Sequence, residues 1–412
     1  DDRSSSFLSS LYSQLLPCFS STQMHVGFDG ATDVTQGRSK RAGTRTQVSL
    51  AFLRRVSSLA AMHGKKTVQF WADVLGGPDI EFSPSDLPAR AVAMEWGYES
   101  DYPFSSRCSV LAKLGIPFYT CPSTSGHNSL GGRLSNAVEN IKSAAKAALR
   151  HNGVGMLLTD WGDNGHLQPQ VVSYPGYVVG AGAAWNVTEA LSASESDLEL
   201  ICRLLDSHFF RDGDEAGVLG SVVCLYGDMH LVAEGKEGDW ESSSSPSTSL
   251  AHGTRLFKCL VYRAVSPSGE GLNLTGLRRA QRRVEKSLDI LNSYTGRANS
   301  ADVLELQLVG ELLRIACRVG ILICVARNSG DVQDDSVMMD QLSGVTRSDI
   351  VNRLLQVLLL YRICWDARCL PHSFSKSVAF LERPLRDLCR GLPQMMSFVE
   401  ERCRTGWITP RP

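Results

Sequence analysis

Gly153-Val154-Gly155-Met156-Leu157-Leu158-Thr159-Asp160-Trp161-Gly162-Asp163-Asn164-Gly165-His166 is the stretch whose reading decides the fold. It opens as a short apolar run after a glycine, the pattern of a strand buried in a parallel sheet. Carboxylates, an indole, an amide and an imidazole then crowd the residues that follow. In a parallel α/β protein, ligands bind at the C-terminal ends of the strands. The plain alternative is a polar loop with Asp160 as a cap. What precedes the stretch decides between the two, because the same layout recurs upstream.

Upstream, residues 7–17 carry apolar side chains at helical spacing, and Gln23 to Phe28 is a short strand ending at Asp29-Gly30. Residues 46–63 read as a helix with Leu50, Leu53, Val56 and Leu59 on its apolar side. Thr67 to Trp71 is the next strand, ending at Asp73, and Ala91 to Trp96 the one after, ending at Gly97-Tyr98-Glu99. A helix near 104–114 leads to the strand Ile116 to Cys121, and an Ala-rich helix over 133–151 stops at Asn152-Gly153. Strands and helices therefore alternate, as in a parallel α/β sheet. Each strand delivers polar or aromatic residues to its end: Asp29; Trp71 and Asp73; Glu95, Trp96 and Tyr98; Tyr119; Asp160, Trp161 and Asp163. Any one of these Trp residues by itself reads as core. Together they read as one site built from successive βα loops. Flat rings stack on sugar faces and carboxylates accept from hydroxyls, so the expected ligand is a sugar.

Composition narrows the classes. The chain has 412 residues, 42 basic against 43 acidic, and a net charge of -1. That balance argues against a nucleic-acid partner. The cluster Arg278-Arg279 with Arg282-Arg283 reads as a solvated helix face. Twelve Cys are scattered with no Cys-x-x-Cys pair and no zinc spacing, which favours a reducing, cytoplasmic compartment and no metal. Asn186-Val187-Thr188 and Asn273-Leu274-Thr275 fit the glycosylation pattern, which recurs by chance. No uncharged apolar run reaches about 18 residues, so no membrane span is expected. The chain begins at Asp1 close to an amphipathic segment, which reads as the truncated start of a longer protein and leaves lysosomal or secreted placement open. No Gly-x-Gly-x-x-Gly follows a strand, and Gly126 to Gly132 lacks a phosphate-loop lysine, so no nucleotide cofactor is expected.

Beyond residue 185 the pattern turns helical, with helices near 196–210, 276–293, 301–326 and 347–363. Their Leu and Ile stripes read as core. A Ser-rich stretch, Ser242 to Ser247, marks a disordered loop expected near 236–252. The expected division is an α/β domain over 1–185 and a helical region over 186–412.

The strand ends also resemble a known family. Residues 24–185 are similar to the catalytic barrel of family 20 glycoside hydrolases, the β-N-acetylhexosaminidases. The resemblance rests on Phe70-Trp71-Ala72-Asp73, Glu95-Trp96-Gly97-Tyr98-Glu99, Phe118-Tyr119-Thr120-Cys121-Pro122 and Thr159 to His166. It implies strands four to eight of a TIM (β/α)8 barrel, with the first three strands absent, followed by a mainly α-helical region. It implies a retaining hydrolysis in which the substrate's acetamido oxygen, not an enzyme group, attacks the anomeric carbon. An Asp orients that group, and an adjacent Glu protonates the leaving oxygen. Asp29 matches the orienting Asp, but Gly30 stands where the acid Glu belongs. Losing a general acid costs about 10²–10⁴-fold in rate. Asp33 is the nearest surrogate in sequence. By the same resemblance Trp71, Asp73, Glu95, Trp96, Tyr98, Tyr119, Trp161 and Asp163 bind an N-acetylhexosamine-terminated glycan. The competing expectation is a non-catalytic descendant that binds amino sugar or a glycoprotein.

Overall fold

The computed structural model describes residues 2–30, 33–36, 40, 42–76, 82–189, 195–212, 217–236, 253–261, 272–328, 343–390 and 392–407. The chain forms two compact units: residues 1–122, 140–159 and 183–189 make one, and residues 123–139, 160–182 and 190–412 the other.

The first unit holds the sheet. Its strands are β1 (Gln23–His25), β2 (Thr67–Trp71), β3 (Ala91–Trp96), β4 (Phe118–Cys121) and β5 (Gly155–Met156). They pair in sequence order, and every pair is parallel. The expected strand after Asn152 is shorter than its apolar run, because Leu157 and Thr159 continue past β4 by single bonds to Thr120 and Pro122.

Helix α1 (Asp2–Leu15) precedes β1, α2 (Arg45–Met62) joins β1 to β2, α3 (Phe104–Lys113) joins β3 to β4 and α4 (Leu134–Arg150) joins β4 to β5. Between β2 and β3 the described residues form short 3-10 turns and no α-helix, unlike the strict alternation expected. A capping box at Thr44 and Gln47 fixes the start of α2. One core cluster joins Tyr12, Leu50, Leu53, Val56, Phe104, Cys108, Leu111, Ala144 and Ala147 of the helices to Val68, Phe70, Ala91, Ala93 and Phe118 of the strands. All four helices therefore cover the same face of the sheet. Strand side chains alternate between faces, so Gln69, Trp71, Val92, Met94, Trp96 and Tyr119 belong to the other face. The register lays Trp71, Met94, Tyr119 and Gly155 side by side in one row across it. Sequential parallel order with helices on a single face is a singly wound sheet, whereas a doubly wound sheet carries helices on both.

The second unit is helical. Its elements include α5 (Tyr174–Trp185), α6 (Glu195–Leu205), α7 (Val218–Gly227), α8 (Met229–Glu234) and α9 (Arg255–Val261). Then come α10 (Leu274–Asn292), α11 (Ser300–Asn328), α12 (Gly344–Arg368), α13 (Phe374–Leu388) and α14 (Pro393–Thr405). Asn273 and Ser343 cap α10 and α12 with their side chains. The expected helix over 196–210 stops at Leu205 and finishes in a π turn, Asp206–Phe210. Helices α13 and α14 had no counterpart in the sequence reading. The Ser-rich stretch Ser242 to Ser247 lies outside the described residues. Among the described residues no helix is long and apolar enough to cross a membrane.

Candidate functional site

The strand ends of the first unit meet at Asp73. A 3-10 turn, Ala72–Leu75, follows β2 and turns this carboxylate back over its neighbours. Its Oδ1 accepts from Trp96 Nε1 at 3.2 Å, and its Oδ2 accepts from the Gly30 backbone N–H at 3.3 Å. One half-buried carboxylate thus joins the ends of β1, β2 and β3. Trp96 also packs on Tyr98, with ring centroids 5.0 Å apart. The indole is fixed from two sides, which makes it a rigid apolar platform.

Trp71 lies beside His25 of β1, ring centroids 4.6 Å apart. His25 Nδ1 accepts the Gly27 N–H at 3.1 Å, so the neutral ring carries its proton on Nε2. Burial pushes this imidazole below its ordinary range, and Asp29 partly opposes the shift. Its Nε2 is buried without a hydrogen-bond partner. Sequence reading missed His25; the signal for it was its alternation with Met24, which turns inward to the helices. Tyr119 spreads over Gly155, where a Cβ would approach its ring to 3.1 Å.

Asp29 and Gly30 are both exposed. Gly30 adopts φ +60°, and a Cβ there would meet nothing within 4 Å. Asp33 sits on an exposed turn.

Glu95 points the other way. It shares the parity of Ala91 and Ala93, so its side chain enters the helix layer. There its Oε1 accepts from Arg107 Nε at 2.9 Å and from Tyr102 hydroxyl at 2.5 Å, and its Oε2 from Arg107 Nη2 at 3.3 Å. The Glu95 side chain is 2% exposed. Enclosed in this way, the Glu95 carboxylate anchors α3 to the end of β3, on the face of the sheet opposite Trp71 and Tyr119. Burial, then the charge of Glu95, pushes the Tyr102 phenol far above its ordinary range. Gly97 permits the arrangement, since a Cβ there would lie 2.2 Å from the Tyr102 ring.

The Asp160 loop belongs to the second unit. Asp160 Oδ1 accepts from Thr124 at 2.6 Å and Ser173 at 2.8 Å, and its Oδ2 from Tyr177 at 2.7 Å. Burial, followed by the bond to Asp160, raises the Tyr177 phenol above its ordinary value. The Trp161 carbonyl accepts from Gln168 Nε2 at 2.7 Å. Trp161 is half-buried and Asp163 exposed. Asn164, Gly165 and His166 are all left-handed, at φ 52°, 90° and 53°.

That unusual run rests on the helical region. A Cβ at Gly165 would meet the Phe380 ring of α13 at 2.4 Å, and Tyr361 of α12 donates to the His166 carbonyl at 3.3 Å. The sequence assigned α12 to core alone and gave no sign of α13. Their part in shaping the loop had no local signal, because the partners lie far along the chain. No protein-family model matches the chain, and no curated protein matches it either.

Proposed function

We propose that the chain is a glycoside hydrolase of the β-N-acetylhexosaminidase type that takes a terminal N-acetylhexosamine and lacks the customary proton donor. The observation that carries this reading is the aromatic face of the sheet. Trp71 and Tyr119 share one row of it, Trp96 stands at its rim, and Asp73 fixes Trp96 in place. Stacked sugar rings want such platforms, and the sequence motifs at these strand ends resemble those of that family.

In this reading the acetamido oxygen of the substrate attacks the anomeric carbon, and Asp29 accepts from the acetamido N–H to orient and stabilise it. Gly30 gives no proton to the leaving oxygen. Substrates with good leaving groups need little protonation, so they are the ones this chain turns over. The test compares an aryl N-acetylglucosaminide with an alkyl one. Turnover of the aryl substrate that Asp29→Asn abolishes supports the reading. No turnover of either ends it.

One observation favours a second reading, a non-catalytic binder of amino sugars. Gly30 is held in a left-handed conformation that other residues adopt at a cost, so this backbone suits a glycine better than an acid-bearing residue. Binding of N-acetylglucosamine by calorimetry, with no turnover of the aryl substrate, selects it.

A further inference from the structure

Three side chains of the helical region converge on the segment that follows the Asp160 loop. Arg368, the last residue of α12, donates Nε to Glu305 Oε1 at 2.7 Å and Nη2 to Asp302 Oδ1. Glu305 Oε2 accepts the Val171 backbone N–H at 3.1 Å, and Asp302 Oδ1 accepts the Tyr174 hydroxyl at 3.1 Å. Both carboxylates lie inside, with side chains 1% and 6% exposed. The gripped segment carries Ser173 and Tyr177, two of the three hydroxyls on Asp160. Phe209 reinforces it, 4.7 Å from the Tyr174 ring and stacked on Tyr177 at 6.5 Å.

We propose that Arg368 is a positioning residue for the Asp160–His166 loop: it holds Asp302 and Glu305 on the 171–174 segment, whose hydroxyl-bearing neighbours in turn hold Asp160 beside Trp161. Arg368 gives these two buried carboxylates of one helix a shared cationic partner, so neither is left as an uncompensated buried charge. Val171 and Tyr174 exploit the fixed oxygens that result. Helices α11 and α12 thereby become part of the site's scaffold. The consequence for sugar binding rests on the amino-sugar reading above; the clamp itself does not.

The experiment uses the full chain as wild type, Arg368→Met, Arg368→Lys and the milder Tyr174→Phe. Hydrogen exchange is followed by mass spectrometry, and N-acetylglucosamine binding by calorimetry. Arg368→Met should accelerate exchange selectively over residues 160–177 and weaken the sugar about tenfold, the scale of losing one hydrogen bond to the ligand. Arg368→Lys should restore part of both. Burial already raises the Glu305 carboxyl above its ordinary value while Arg368 lowers it. Without Arg368, with Asp302, Tyr174, Cys364 and Cys369 as its remaining titratable neighbours, Glu305 rises further. The exchange defect should therefore shrink as pH falls, which a loss of packing alone would not do. If Arg368→Met does not fold, Tyr174→Phe must show the same selective exchange in smaller degree. Unchanged exchange over 160–177 in a folded variant, or acceleration spread evenly over α10 to α12, overturns the clamp. Wild type that binds no N-acetylglucosamine overturns the amino-sugar reading, and the exchange result then judges the clamp by itself.

Discussion

Trp96 donates its indole N–H to Asp73 across 3.2 Å, from the end of one strand to the turn after the next one over. The bond takes the polar edge of the indole out of play and leaves its faces for apolar contact. Asp73 is then a residue that orders an aromatic ring, with the Gly30 N–H on its other oxygen.

Asp73→Ala should therefore weaken N-acetylglucosamine binding through Trp96. Bonds to a half-buried charge of this kind contribute about 1–2 kcal/mol. Asp73→Asn should fall between, because its oxygen still accepts from Trp96 while its NH₂ confronts the Gly30 N–H. Calorimetry decides; wild-type affinity in a folded Asp73→Ala protein would remove Trp96 from the site.

Arg107→Met should destabilise the fold by about 3 kcal/mol, the order expected when one partner of a buried ion pair is removed. The Arg107 and Glu95 side chains are 20% and 2% exposed, so solvent screens the pair only in part. Glu95→Gln with Arg107→Met should recover much of the loss, since no charge is then stranded. Urea unfolding of the two variants measures this. Equal midpoints for the single and the double variant would contradict an ion-pair role.

Gly30→Glu tests the missing proton donor. The left-handed backbone at φ +60° should cost about 1 kcal/mol for a residue with a Cβ, while the space around that Cβ is open. If the new carboxyl reaches the leaving oxygen, alkyl N-acetylglucosaminides should gain about 10²-fold and aryl ones much less. A stable variant that binds sugar and gains nothing on either substrate points to the binder.

Asp228 and His230 oppose each other in pH. Burial raises the Asp228 carboxyl to about 6 despite two bonds from Ser135, and lowers His230 to about 3, helped by Arg133 and Lys236. A raised acid stabilises the fold at low pH, and that contribution is lost as pH climbs from about 4 to about 6. A depressed histidine does the reverse: its contribution is lost as pH falls from about 6.5 towards 3. Between pH 4 and 6 the two slopes should nearly cancel in wild type. Asp228→Asn should expose the histidine slope, about 1.4 kcal/mol per pH unit on acidification. A flat stability curve for Asp228→Asn over that range would refute the opposition.

The sheet was legible because its strands alternate cleanly and end on recognisable residues. Val68 and Phe70 face the helices, while Gln69 and Trp71 face away, as period two demands. The same alternation, applied to Ala91, Ala93 and Glu95, would have placed Glu95 with the core. Its position in an aromatic motif outweighed that parity. The loop after β5 was legible as a polar segment beyond a strand end but not as a shape. Three left-handed residues in a row depend on Phe380 and Tyr361, which no local window contains. Helix α13 went unseen partly because Pro384 stands within it, and an interior proline argues against a helix.

The order in which the chain is made has its own consequence. Arg368 follows Tyr174 by 194 residues. At roughly 5–20 residues per second, a ribosome emits the sheet and the Asp160 loop about 10–40 s before the guanidinium that organises the segment behind that loop. Throughout that interval the nascent chain carries β1 to β5 and an Asp160 loop that has not yet received its final support. Any chaperone that shields this protein during synthesis has its window there, and it closes when α12 leaves the exit tunnel.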